Sequence, residues 1–216
     1  MENQRGIPVD PEIIEGISKL AWGFLFILFD FNLNFSSDIR IDIMPDIIGY
    51  LLFWAAFAKL ARFVQGKKYL PPAVIGLAVF SVLDYFVQWG DTMLGPVLTI
   101  FIGLVTIYAG YETLGVAEAV AAEYKLEKQK KSIHDTRMLY LWLSVAFYAI
   151  WLLSGEAEIT FDEIVGLLIF VVVVVLLVMV VSDLFGLRNA LLHCQTNEDV
   201  VSFAGGISEP GEGDFR

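Results

Sequence analysis

The sequence predicts an all-α fold: a polytopic membrane helical bundle of six transmembrane helices arranged as three antiparallel hairpins. Three observations predict it. The 216-residue chain is 57% hydrophobic, against about 45–50% for an ordinary soluble domain. The excess is gathered into runs of roughly 17–25 residues, the length that crosses about 30 Å of hydrocarbon. These runs are near-continuous and rich in Leu, Phe, Ala and Val, without the ten-residue alternation of a membrane β-barrel.

The third observation is the placing of Lys and Arg. Six runs fall at residues 17–35, 45–64, 72–89, 93–114, 138–153 and 161–184. The link between the second and third holds Lys59, Arg62, Lys67 and Lys68. That between the fourth and fifth holds Lys125, Lys128, Lys130, Lys131 and Arg137. With Arg5, Lys19, Arg188 and Arg216 at the flanks, 13 of the 14 basic residues lie on one side and Arg40 alone on the other. The positive-inside rule makes the 13-residue side cytoplasmic and puts both termini there. Five or seven spans would scramble this asymmetry.

The first run follows a polar, acid-rich leader that lacks the basic start of a signal peptide, so the first helix is expected to be retained. Asp30, Asn32 and Asn34 interrupt its end. The second begins at Met44-Pro45-Asp46 and ends on Lys59 and Arg62. The passage IDIMPDIIGYLLFWAAFAKL resembles small multi-pass proteins of bacterial plasma membranes and implies no activity. The external links are short, which makes antiparallel neighbours. Each returning helix starts at an acid or cap beside Pro or Gly: Pro45, Asp46 and Gly49; Asp91, Thr92, Gly95 and Pro96; Thr160, Asp162, Glu163 and Gly166. Thr160-x-x-Glu163 matches a capping box. The fourth run is followed by an Ala-, Glu- and Lys-rich stretch, 115–131, of good helix formers. It is read as a cytoplasmic extension of the same helix; unbroken at Gly115, residues 93–131 would span about 58 Å. Residues 195–216, with Gly205, Gly206 and Pro210, read as a disordered acidic cytoplasmic tail.

The candidate site is an acidic vestibule open to the outside. Asp30 and Asp84 lie in outgoing helices, each roughly 9 Å inside the external end at helical rise. A carboxylate so deep costs a few kcal/mol and ordinarily faces protein or a water cavity. Asn34 shares a face with Asp30; Ser81, Gln88 and Asp91 share one with Asp84. Asp46 sits at the external mouth of the second span. The competing reading is structural: Asp30 in the headgroup zone, Asp84 bonded to a neighbouring helix, and Asp46 in a first turn where an acid suits the helix dipole. In the fourth span Gly95, Thr99, Gly103, Thr106 and Gly110 form a small-residue stripe that lets helices approach closely. Residues 171–181 of the sixth span are almost uniformly large and apolar, suited to lipid or a subunit contact. Glu112, near Tyr108 and Tyr111, and Asp183 with Arg188, read as satisfied pairs before ion sites. The five tryptophans fit interfacial belts or packing, with Trp54 and Trp142 the least obviously placed.

Other chemistries are excluded by what is missing. Cys194 is the one cysteine and His134 and His193 the only histidines, and neither HExxH nor Gly-x-Ser-x-Gly occurs, so the usual zinc and intramembrane hydrolase constellations are missing. No metal or cofactor is called for. The basic segment LEKQKKSIHDTR lacks interleaved aromatics and reads as a positive-inside loop near anionic lipid, not as a nucleic-acid site. The sequence therefore supports two functions: a small transporter or channel-like protein with the acidic vestibule as its path, or a non-catalytic membrane scaffold, sensor or accessory subunit. The partners implied are the lipid bilayer and a membrane protein or a second copy of the chain.

Overall fold

The computed structural model of the chain describes residues 9–28, 33–36, 39–41, 45–87, 95–154 and 163–205. The architecture is helical apart from one short ribbon. In chain order the elements are α1 (Pro11–Leu28), β1 (Leu33–Ser36), β2 (Ile39–Ile41), α2 (Pro45–Lys59), α3 (Ala61–Val64), α4 (Leu70–Val87), α5 (Gly95–Glu123), α6 (Glu127–Ser154) and α7 (Glu163–Gly205). Each expected span thus has its helix, with α2 and α3 sharing the second.

Local chemistry explains the starts and stops. Asp10 opens α1: its Oδ1 accepts the Glu12 N–H at 2.9 Å, and Pro11 fills the first position, where no N–H is needed. The helix therefore starts earlier than residue 17, and Ile13, Ile14 and Ile17 add to its buried face. Residues 33–35, placed by the sequence in the first span, instead form a strand. β1 and β2 are antiparallel, with Leu33 opposite Ile41 and Asn34 opposite Arg40. The alternation Asn32-Leu33-Asn34-Phe35 is a period-two pattern, which belongs to a strand rather than a helix. The chain breaks between α2 and α3 at Leu60 (φ −98°, ψ 23°), and α4 begins with two prolines, Pro71 and Pro72, in its first turn.

The expected helical extension 115–131 is corrected in the same way. α5 passes Gly115 without a break and ends at Glu123. The Leu126 N–H bonds the Ala121 carbonyl at 2.9 Å and the Lys125 N–H bonds that of Ala122 at 3.1 Å. This is a Schellman stop, with Lys125 at φ 55° where glycine is usual. Residues 127–131 belong to the returning helix α6. The expected tail is also shorter: α7 runs on to Gly205, so 195–205 are helical, and 206–216 lie outside the described residues.

The helices pack as a ring in chain order, α1 on α2, α2 on α4, α4 on α5, α5 on α6 and α6 on α7, closed by α7 on α1. The contacts of α5 with α6 and of α1 with α7 are more extensive than those of α4 with α5 or α6 with α7. The three expected hairpin pairs, α1–α2, α4–α5 and α6–α7, are all in contact, the last two less extensively than the first. Every helix buries a stripe at three- and four-residue spacing: Ile17, Leu20, Ala21 and Phe24 on α1; Tyr50, Phe53 and Phe57 on α2; Leu70, Val74 and Leu77 on α4; Val180, Leu184, Leu187 and Leu191 on α7. The outward faces are apolar too, with Ile75, Val79 and Leu83 exposed on α4, Val97, Phe101 and Leu104 on α5, and Phe170, Val171, Val175 and Val178 on α7. Among the described residues, two helical stretches are long and apolar enough to cross a membrane, Ile100–Glu123 and Phe170–Thr196, and Leu70–Leu83 is a shorter apolar helix. The other helices fall short because α1 carries Glu12, Glu15 and Lys19, α2 stops after 15 residues, and the first third of α6 is charged. The helical bundle is observed; six crossings are not established by these lengths.

The backbones of α1 and α2 come close at Gly23 and Gly49. A Cβ on Gly49 would lie 2.8 Å from the Gly23 carbonyl oxygen and would overlap Ile27. One on Gly76 would meet nothing within 4 Å. Gly49→Ala is therefore expected to lower thermal stability by about 1–3 kcal/mol through overpacking. Gly76→Ala should raise it by up to about 1 kcal/mol through helix propensity. Thermal melts of the two purified variants in detergent check the opposite signs.

Candidate functional site

The acidic vestibule lies largely beyond what the structure describes. Asp30 and Gln88 are outside the described residues, and Asn34 and Asp84 are described in backbone alone, in β1 and α4. Asp46 is in the first turn of α2, half-buried, with its Oδ1 shielded from solvent. Because α2 and α4 are neighbours joined by the short segment 60–69, the start of α2 and the end of α4 share one end of the bundle. Asp46 and Asp84 are therefore brought to the same end by the backbone.

The small-residue stripe of α5 faces α6. A Cβ on Gly103 would run into the Tyr148 ring, and one on Gly110 into the Tyr140 ring. Tyr140 is buried, and its hydroxyl donates to the Thr106 carbonyl at 3.4 Å. Gly95 is buried, and Thr99 is described in backbone alone. The tyrosines fill the space that the glycines leave. What remains between α1, α2, α5 and α6 is a cavity of about 40 Å³ lined by Phe24, Tyr50, Phe53, Thr106 and Tyr140 among others, room for about one water.

The densest polar grouping is at the opposite end. The Arg137 guanidinium of α6 lies against α5: Nη1 donates to Glu118 at 2.8 Å and Nε to the Tyr111 carbonyl at 3.1 Å. It also stacks on the Tyr111 ring at 3.9 Å and has Glu112 at 3.8 Å. Glu112 in turn pairs with Lys67, and His134 Nδ1 is 3.0 Å from Glu118. Gly115 makes the arrangement possible, since a Cβ there would stand 2.8 Å from the Arg137 Cζ. Beside this cluster Asp183 of α7 accepts from Ser132 at 2.7 Å and Thr136 at 2.6 Å. On the other flank Lys59 reaches Glu15 at 2.8 Å, and Arg62 donates to the Tyr124 hydroxyl at 2.9 Å. α1 with α2, α5 with α6 and α6 with α7 are tied at this end, and Lys67 ties the link before α4 to α5, where the sequence had gathered the basic links.

Sequence reasoning singled out Glu112 and Asp183 as satisfied residues but missed Glu118 and Arg137 as the hub. The available signal was that Glu112 and Glu118 are the only charges in α5 before Glu123, in a helix otherwise of small and apolar residues. Chemically the cluster is close to charge balance, two cations facing two carboxylates and a histidine, which suits helix docking more than proton or group transfer. Among the described residues no three His, Cys, Asp or Glu side chains come together in a metal-binding group. Comparison with protein-family models, curated proteins and solved structures finds no match.

Arg137→Ala takes from Glu118 its guanidinium partner, leaving only His134 beside it, while Glu112 keeps Lys67. It is expected to cost about 3 kcal/mol, the low end for a buried pair because 16–19% of each side chain still meets solvent. Arg137→Lys should recover little, since a lysine cannot reproduce the fork and the ring stacking. Denaturant titration of both variants reads the difference. Glu15 supplies a pH test. Hydrogen bonds from Lys19 and then Lys59 hold its carboxyl below the ordinary 4.5. Its contribution is present above that value and lost as pH falls through the lowered one. Wild type and Glu15→Gln should differ in melting temperature at neutral pH and converge in acid.

Proposed function

We propose that the chain is a six-crossing protein of the bacterial plasma membrane, with the ion-paired end and both termini cytoplasmic. In this reading it works without catalysis, as a scaffold, sensor or accessory subunit of a membrane complex. One observation carries the reading: among the described residues the interior is closely packed and the outward faces are apolar. Tyr140 and Tyr148 close the seam between α5 and α6, and the cavity beside them holds only about 40 Å³, too little for a path. The outward faces of α2, α4, α5, α6 and α7 carry large apolar side chains, as surfaces against lipid or partner helices do. The α7 stripe at Phe170, Val171, Val175 and Val178 is the broadest of these and is the natural contact for a partner helix. The gathering of Lys59, Arg62, Lys67, Lys68 and Arg137 at one end supports the cytoplasmic assignment.

A second reading, a small transporter or channel-like protein, is favoured by one observation. Asp46 and Asp84 fall at the same end of neighbouring helices, as a mouth for cations requires. Reconstitution separates the two. Under the first reading, proteoliposomes show cation and proton flux no greater than protein-free liposomes, and the chain co-purifies with another membrane protein in mild detergent. Flux that Asp84→Asn or Asp46→Asn abolishes would overturn it and establish the second.

A further inference from the structure

Trp54, among the tryptophans least obviously placed by the sequence, lines a groove. The break at Leu60 turns the chain away from the axis of α2, and the small side chains of Ala58 and Ala61 leave a hollow between α2, α3 and the start of α4. The hollow measures about 390 Å³ and is open along one side, within the range of small-ligand sites. Trp54, Phe57, Val64 and Pro71 form its apolar wall, and Gln65 and Lys68 its polar rim. Trp54 is 53% exposed there, so its indole is available to an occupant.

The charge at the rim is uncompensated. Residues 47–83 contain four cations and no acid. Lys59 is neutralised by Glu15 and Lys67 by Glu112. Among the described residues, Arg62 and Lys68 have no carboxylate within 4 Å; Arg62 is held by Tyr124 and Phe63, while the Lys68 ammonium rests 4.8 Å from the Tyr69 ring centre. The groove is thus apolar along its length and cationic at one lip. A soluble anion would leave the wall wet. A second copy related by a two-fold axis would set one cationic lip against the other.

We infer that this groove binds one anionic glycerophospholipid, with an acyl chain along Trp54 and Phe57 and the headgroup phosphate at Lys68. The inference rests on the membrane reading, because the lip lies at the end assigned to the cytoplasmic leaflet, where anionic headgroups are found. The occupant fills a hollow that α2 and α4 do not close themselves and supplies the missing counter-charge.

The test uses the full chain in nanodiscs of equal phosphatidylglycerol and phosphatidylcholine, with retained lipid counted by native mass spectrometry. Wild type should keep phosphatidylglycerol in preference. Lys68→Gln should lower that preference about fivefold, the effect of one lysine near an anionic surface, while Lys128→Gln, in the basic segment near the same leaflet but outside the groove, lowers it clearly less. Ala61→Leu, which fills the groove and keeps the charge, should lower retention as well. Equal retention of the two lipids, equal effects of Lys68→Gln and Lys128→Gln, or no effect of Ala61→Leu overturns the inference while the membrane reading stands. Failure of the folded wild-type chain to enter the bilayer overturns both.

Discussion

The Arg137 guanidinium is the constraint around which the charged end is built. A side chain with five donors and a fixed charge must find acceptors when it is taken out of water. Here they come from α5: a carboxylate from Glu118, a backbone carbonyl and a ring face from Tyr111, with Glu112 a little further away. Each acceptor fixes something else. Glu112 holds Lys67 and so the link into α4, and Glu118 holds His134 one turn before Arg137. Gly115 lets the guanidinium lie directly on α5; a Cβ there would stand 2.8 Å from its Cζ, so the arginine would have to shift.

Among the described residues, the rest of the bundle is held mainly by apolar and ring contacts. Beyond the charged end, contact is made by rings over glycines and by aliphatic stripes. Tyr148 and Tyr140 lie on Gly103 and Gly110, and Gly23 faces Gly49 across α1 and α2. Glycines account for part of the unevenness of the ring. Where glycines admit a neighbour, as between α5 and α6, the helices meet along their length. Where they do not, as between α4 and α5, the contact is slight, and Gly76 on α4 faces open space. The same unevenness leaves the hollow beside Trp54.

Much of this was legible in the residues. Apolar runs gave six helices in the right order because burial and helix geometry act locally. The prolines and acids at Pro45–Asp46 and Asp10–Pro11 mark helix starts for reasons that need no partner. The stop after Glu123 was not legible, because Lys125 occupies the left-handed position that glycine usually signals. The ribbon at Leu33–Ile41 was half visible, in the asparagines that interrupt the first run. Of the acidic vestibule, the sequence places Asp46 and Asp84 at matching ends through chain direction alone. The hub of the charged end was hidden, since Glu118 and Arg137 are 19 residues apart and no spacing rule links them.

By itself the sequence determined the helical class, the apolar runs and the gathering of basic residues into alternate links. Those follow from composition and period, which each segment carries alone. Tertiary structure decided which faces meet, that α5 seats α6 more fully than α4, that Gly115 makes room for Arg137, and that Leu60 turns the chain to open a groove under Lys68. These depend on which distant residues share a few ångströms, and on the fit of ring to glycine and cation to carboxylate, which no single segment encodes.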